Sequence, residues 1–188
     1  MEYIYLLTRN EGKVKAANLI FGMYGIEVKS LGLDIPEIQA STSIEIAKAA
    51  ALEAHRQTGK AVIREDHSFY ITELGFPGPF MAYADKSISP EKLLAIVNTL
   101  DSRDAYFELA AAYVAVDGSV HEFSYKVPVI ISTEIRGSDK YRWEKLMMMP
   151  GDSRTFAEVD SNDRTSVWSK NYDSIAKLIR SGRLRVKD

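Results

Sequence analysis

The turn Thr8-Arg9-Asn10-Glu11-Gly12-Lys13 brings a hydroxyl, an amide and an ammonium together within a few residues. It follows a hydrophobic run, Tyr3 to Leu7, and precedes a helical pattern that begins at Val14. Where a buried strand hands over to a helix, unpaired backbone N–H groups and the helix dipole favour an anion. Thr8, Asn10 and Lys13 would add donors and positive charge to that concavity, with Asn10 also able to cap the helix. The same strand, polar turn and helix also occur as plain connections in α/β proteins, so the turn gains meaning from its company. That company is acidic. Glu37 follows a proline in an extended segment, and Glu65-Asp66 closes the apolar run Ala61-Val62-Ile63. A phosphate grip beside several carboxylates is an arrangement for a divalent cation that bridges protein and phosphate, as Mg2+ requires. Such an ion neutralises phosphate charge and lowers the pKa of bound water, while a second carboxylate orients or deprotonates the nucleophile.

The elements that must position these groups follow from periodicity. A strand is expected over Tyr3 to Leu7, then a helix from about Asn10 to Tyr24 with Val14, Ala17, Phe21 and Tyr24 on one face and Gly25 as its stop. A short strand near Glu27 to Leu31 follows, and Ile35-Pro36-Glu37 is extended. Thr42 or Ser43 caps an alanine-rich helix that ends near Thr58-Gly59. Ala61-Val62-Ile63 then reads as a buried strand with Glu65-Asp66 at its C-terminal end. This alternation predicts an α/β fold, whose ligands collect at the carboxyl ends of strands. Leu74 to Phe80 reads as a rigid loop, Ser89-Pro90 as a helix start, and Tyr106 to Val116 and Ser119 to Ser132 as long strands joined by the turn Asp117-Gly118. Glu134 to Asp160 is loop-rich, and a last helix runs from about Asn171 to Ser181 before Gly182.

With 188 residues the chain suits a single domain spanning 1–188. It has no cysteine, and its three histidines, His55, His67 and His121, lack zinc-ligand spacing, so any metal should be a hard, oxygen-bound ion. The longest apolar runs, such as Leu109 to Val116, are too short for a membrane span, and no leader-like pattern opens the chain, which makes a cytoplasmic protein the expectation. A net charge of −2 argues against a general nucleic-acid surface, although Arg180, Arg183, Arg185 and Lys187 make the end of the chain basic.

These residues resemble the inosine triphosphate pyrophosphatase family, which clears non-standard purine nucleoside triphosphates. Thr8 to Lys13 resembles the family's Thr-x-Asn-x-x-Lys motif, and Asp34 to Gln39 its Leu-Pro-Glu-Ile-Gln segment. Ile44 to Ala47 resembles the start of the following helix, and Glu65-Asp66 the acidic pair. Leu74 to Phe80 resembles the Leu-Gly-Gly-x-Pro-Gly-Pro-Tyr loop, and Thr155 to Glu158 the Lys-Thr-Phe-Ala-Glu segment. The resemblance implies an elongated mixed β-sheet with helices on both sides, two lobes with a central cleft, a homodimer, Mg2+ dependence, and cleavage of a triphosphate to a monophosphate and pyrophosphate. It implies Thr8, Asn10 and Lys13 on the phosphates, Glu37 and Asp66 on the metal, and Glu65 beside the attacking water, with the roles of Glu65 and Asp66 interchangeable at this stage.

The chain departs from the family where the base should be read. Ala50 and Ala82 stand where the family carries cations, and Trp168-Ser169-Lys170 stands where it has Ser-His-Arg. Lys170 and Arg164 keep some positive charge there. Trp143 reads either as a stacking platform for a base or as a core residue, and Trp168 likewise. His67 reads as a substrate contact or as a polar neighbour that orients Asp66. Two functions follow: a pyrophosphatase with altered base preference, or a nucleotide-binding protein of the same fold without turnover.

Overall fold

The computed structural model describes residues 2–138, 142–160 and 165–182. Strand β1 (Glu2–Leu6) pairs in parallel with β2 (Ile26–Ser30), and helix α1 (Glu11–Gly22) connects them. Asn10 caps α1, its side-chain oxygen accepting from the amides of Gly12 and Lys13. Gly25 follows the helix at φ +68°, a conformation that a side chain would disfavour. Helix α2 (Ser43–Thr58) starts with a capping box. The Thr42 hydroxyl accepts from the Glu45 amide, and the Glu45 carboxylate accepts from the Thr42 amide in return. Gly59, left-handed at φ +65°, ends it.

Strand β3 (Val62–Ile71) is longer than the apolar run predicted. It pairs in parallel with β1 only at Tyr5↔Val62 and Leu6↔Ile63, and later antiparallel with β4 (Phe76–Gly78) at Phe69 to Ile71. Glu65 and Asp66 therefore sit in mid-strand rather than at its C-terminal end. What ends at Ile63 is the pairing with β1, so Arg64, Glu65 and Asp66 run on past the carboxyl end of that neighbour. The expected loop at Leu74 to Phe80 contains β4, and α3 (Met81–Ser87) follows it before α4 (Pro90–Val97), which Ser89 caps. Strands β5 (Asp104–Val114) and β6 (Val120–Ile131) flank the Asp117-Gly118 turn as predicted. The expected loop-rich stretch holds a 3-10 turn at Trp143–Lys145 and the short β7 (Met147–Met148). α5 (Thr165–Trp168) and α6 (Lys170–Arg180) complete the described chain. The sheet is mixed and seven-stranded among the described residues, in the order β2-β1-β3-β5-β6-β7 with β4 beside β3. The fold is therefore α/β, as expected.

The chain divides into two compact units. The first comprises Met1–Asp66, Leu109–Tyr125 and Ser166–Asp188, and the second His67–Glu108 and Lys126–Thr165. Two separate apolar layers build the first. Ile4, Leu6 and Ile63 pack with Phe21 of α1 and with Tyr172, Ile175 and Ile179 of α6. Leu7 and Val62, whose side chains alternate to the other face, pack with Ala50 and Ala54 of α2. Ala50 thus fills a small apolar slot under α2. The core of the second unit is aromatic: Phe69 lies 4.8 Å from Phe107 and 6.3 Å from Trp143, and Phe107 lies 6.4 Å from Phe156, measured between ring centroids.

Candidate active site

The phosphate-like turn is held by its own polar groups. The Thr8 hydroxyl accepts from the Asn10 amide at 3.1 Å, and the Thr8 carbonyl accepts from the Ser30 hydroxyl at 2.6 Å. Asn10 spends its side-chain oxygen on the amides of Gly12 and Lys13, at 2.9 and 3.3 Å, so its side-chain NH2 is the part left to meet a ligand.

The pleat of β3 sorts the neighbouring residues, because successive side chains of a strand point to opposite faces. Glu65 points to the side of α1 and α6. It is only 5% exposed, accepts from the Tyr172 hydroxyl at 2.9 Å, and has the Lys13 ammonium 3.5 Å from the same oxygen. Burial, then the negative Glu65 beside it, raises the Tyr172 pKa well above its ordinary value, so the phenol stays a donor. Tyr125 is pushed the same way, chiefly by burial. Arg64 and Asp66 point to the side of α2. Asp66 is half-buried and accepts from the Ser43 hydroxyl at 2.6 Å. Arg64 donates from Nη1 to the Leu7 carbonyl at 3.1 Å and from Nη2 to Glu37. Glu37 and Asp66, the two carboxylates expected on a metal, are both hard oxygen donors. Among the described residues no three His, Asp or Glu side chains form a ready-made metal cage.

The turn and the acidic pair therefore meet, through Lys13 and Glu65. The other expected site residues lie elsewhere. His67 is the first residue of the second unit and is half-buried, on the same side of β3 as Glu65. Trp143 is 1% exposed in the second unit, and its indole N–H donates to the Ile88 carbonyl at 2.9 Å. A ring so covered, with its one donor used, has the features of a core tryptophan rather than a base platform. Met147 is also fully buried there. Thr155 and Glu158 bind each other, the carboxylate accepting from the Thr155 amide at 2.8 Å and its hydroxyl at 3.1 Å, which secures the buried Phe156. Lys170 is exposed, with its ammonium 5.4 Å from the centre of the Tyr125 ring. Arg164 lies outside the described residues, as do Arg183, Arg185 and Lys187.

Sequence reasoning missed three participants. In the sequence Ser43 presents itself only as an alternative cap and Tyr172 only as part of a helix. Arg64 was passed over as the end of a strand, although a cation directly before two acids in an otherwise apolar run was a visible signal.

A mixed sheet with helices on both faces of its first unit, and a polar turn set against an acidic strand, define an α/β protein with a candidate anion site. Solved structures share this fold: a HAM1 protein from Coxiella burnetii (TM-score 0.82, 21% identity, covering 96% of this chain and 100% of that one) and the Staphylococcus aureus Ham1 protein (TM-score 0.80, 20% identity, 97% and 100%). The profile of the Ham1 family matches residues 4–181, and the chain belongs to that family. Its relatives include proteins named dITP/XTP pyrophosphatase. That of Thermococcus kodakarensis is 33% identical over 162 residues, 86% of this chain and 87% of its own length. That of Methanopyrus kandleri is 32% identical over 165 residues, 87% and 88%. The expected family is thereby borne out. Among the described residues no helix is long and apolar enough to cross a membrane.

Proposed function

We propose that this chain is a Mg2+-dependent pyrophosphatase that converts non-standard purine nucleoside triphosphates to monophosphate and pyrophosphate. The observation that carries the reading is the Lys13 ammonium 3.5 Å from Glu65, which joins the phosphate turn to the acidic strand. The names of the relatives support it. Thr8, the Asn10 side-chain amide and Lys13 hold the phosphate chain, and positioning with charge neutralisation does most of the catalytic work, as in phosphoryl transfer generally. Glu37 and Asp66 would hold the metal, since Mg2+ commonly takes one or two carboxylates and completes its shell from substrate phosphates and water. When bound, the ion supplies neutralisation of the phosphate oxygens.

The two adjacent acids then divide the work by exposure. Asp66, half-buried and steadied by Ser43, orients the attacking water at the α-phosphorus. Glu65, buried against Tyr172, fixes the position and the charge of Lys13. Lys170, the exposed residue at the start of α6, is the cation offered to the rest of the nucleotide, and Trp168-Ser169-Lys170 shifts the base preference. His67 and Arg164 stay within the proposal as substrate contacts, and Trp143 leaves it for the core. A homodimer and a cytoplasmic location complete this reading.

Purified protein incubated with Mg2+ and a panel of inosine, xanthosine and standard triphosphates should release pyrophosphate, most with the non-standard purines. Absence of release with every nucleotide overturns the proposal.

A further inference from the structure

Arg64 has incomplete surroundings. Its side chain is 20% exposed, yet its Nε is buried without a hydrogen-bond partner. The guanidinium is a cation that carries five donors in a rigid fork. Two of its nitrogens have partners in the structure: Nη1 meets the Leu7 carbonyl, at the last residue before the phosphate turn, and Nη2 meets Glu37. The partners differ in kind. The Leu7 carbonyl is a fixed backbone anchor whose own amide donates to Ile63 at 2.8 Å. Glu37 is 57% exposed on an extended segment, and an ion pair with so open a member is cheaply exchanged.

Arg64 also lines a pocket of about 230 Å3 together with Leu7, Thr8, Arg9, Leu33, Asp34 and Ile35. A water takes about 30 Å3 of liquid, so this space holds several groups of phosphate-oxygen size. Thr8, the first residue of the turn, is part of its lining. A half-buried fork anchored on one side by the chain and on the other by a removable carboxylate is suited to receive a second anion.

We propose that Arg64 is a polyphosphate-binding residue held in reserve by Glu37, released when that carboxylate turns to a divalent cation, so that metal and polyphosphate strengthen each other's binding. The proposal rests on the pyrophosphatase reading, because it takes the phosphate chain and the metal from that reading. A carboxylate cannot serve both the guanidinium and a metal fully, and a cation relieved of its carboxylate attracts phosphate more strongly. Each ligand therefore favours the same state of the pair, which is coupling in the thermodynamic sense.

The test is calorimetric binding of inorganic tripolyphosphate to the whole chain, with EDTA or with Mg2+. Affinity in the unaltered protein should rise about 5- to 150-fold with Mg2+, the ordinary range for coupled sites. Glu37→Ala should tighten tripolyphosphate binding about tenfold in EDTA, because it frees the fork. Arg64→Gln should weaken binding with Mg2+ by roughly 10- to 100-fold, and the double variant should lose the gain of Glu37→Ala. If Arg64→Gln does not fold, Arg64→Lys keeps the charge without the fork and should weaken binding severalfold. A pair that only braces the fold predicts lowered melting temperatures with tripolyphosphate affinities unchanged. Unchanged affinity in the folded Arg64 variant, or a gain in Glu37→Ala that survives in the double variant, overturns the proposal. Failure of the pyrophosphatase reading would show separately, as no pyrophosphate release by the unaltered protein from any nucleotide.

Discussion

The two faces of β3 carry the same kind of residue to different ends. Toward α1 and α6, Glu65 is closed in by Tyr172 and Lys13 and is almost inaccessible to water. Toward α2, Asp66 is half-buried with Ser43, and Arg64 reaches the exposed Glu37. One residue of offset along a strand separates a buried carboxylate from a more accessible one. Adjacent acids are therefore a poor guide to a shared site when the backbone is extended, since the pleat parts them.

The largest effect is expected from Asp66→Asn. If the α2 side holds the reacting carboxylate, pyrophosphate release should fall by roughly 10^2- to 10^4-fold, the range for losing a positioned acid–base group. The melting temperature should stay nearly unchanged, and retained turnover would remove Asp66 from the chemistry.

The opposite face should answer in stability. Tyr172→Phe leaves a buried carboxylate short of a donor and should cost about 1–3 kcal/mol in urea unfolding, with a far smaller effect on turnover than Asp66→Asn. A stability equal to that of the unaltered protein would mean that Glu65 does not depend on Tyr172.

The folded-state pKa of Tyr172 is raised above its unfolded value, the ordinary value being 10.0. The stabilisation it gives is thus fully present below pH about 10 and is lost as pH rises from there through the folded-state value. The stability gap between the unaltered protein and Tyr172→Phe should be flat from pH 7 to 9 and shrink only in more alkaline solution. A gap that closes between pH 7 and 9 would contradict the assigned cause.

The smallest effect is expected where the sequence was plainest. Thr42→Ala removes the capping box that starts α2 and should cost about 1 kcal/mol in the same unfolding assay. Because Thr42 precedes Ser43, pyrophosphate release should fall as well, by less than tenfold, through a loosened hold on Asp66. An unchanged unfolding free energy would show that the reciprocal Thr42–Glu45 bonds contribute nothing net.

Local chemistry was legible at once. Asn10, Thr42 and Ser89 cap helices because their side-chain oxygens reach amides two or three residues on. Gly25, Gly59 and Gly182 stop helices because positive φ is open to them, and Asp117-Gly118 turns a hairpin. The phosphate-like turn and its acidic company were read from the same short-range evidence. The length of β3 was not, since a polar stretch inside a strand is sustained by neighbouring strands rather than by its own periodicity. Nor was the role of Trp143, whose burial depends on Phe69 and Ile88, more than fifty residues away in the chain.

The order of elements, their caps and turns, and the clustering of polar and charged groups along the chain were set locally, because these depend on residues a few positions apart. Tertiary packing sets Glu65 against Tyr172 and Lys13 and Asp66 against Ser43, and it places Arg64 between Leu7 and Glu37. Those partners come from distant segments brought in by strand pairing and helix packing, and the face each side chain takes depends on the register of the whole strand.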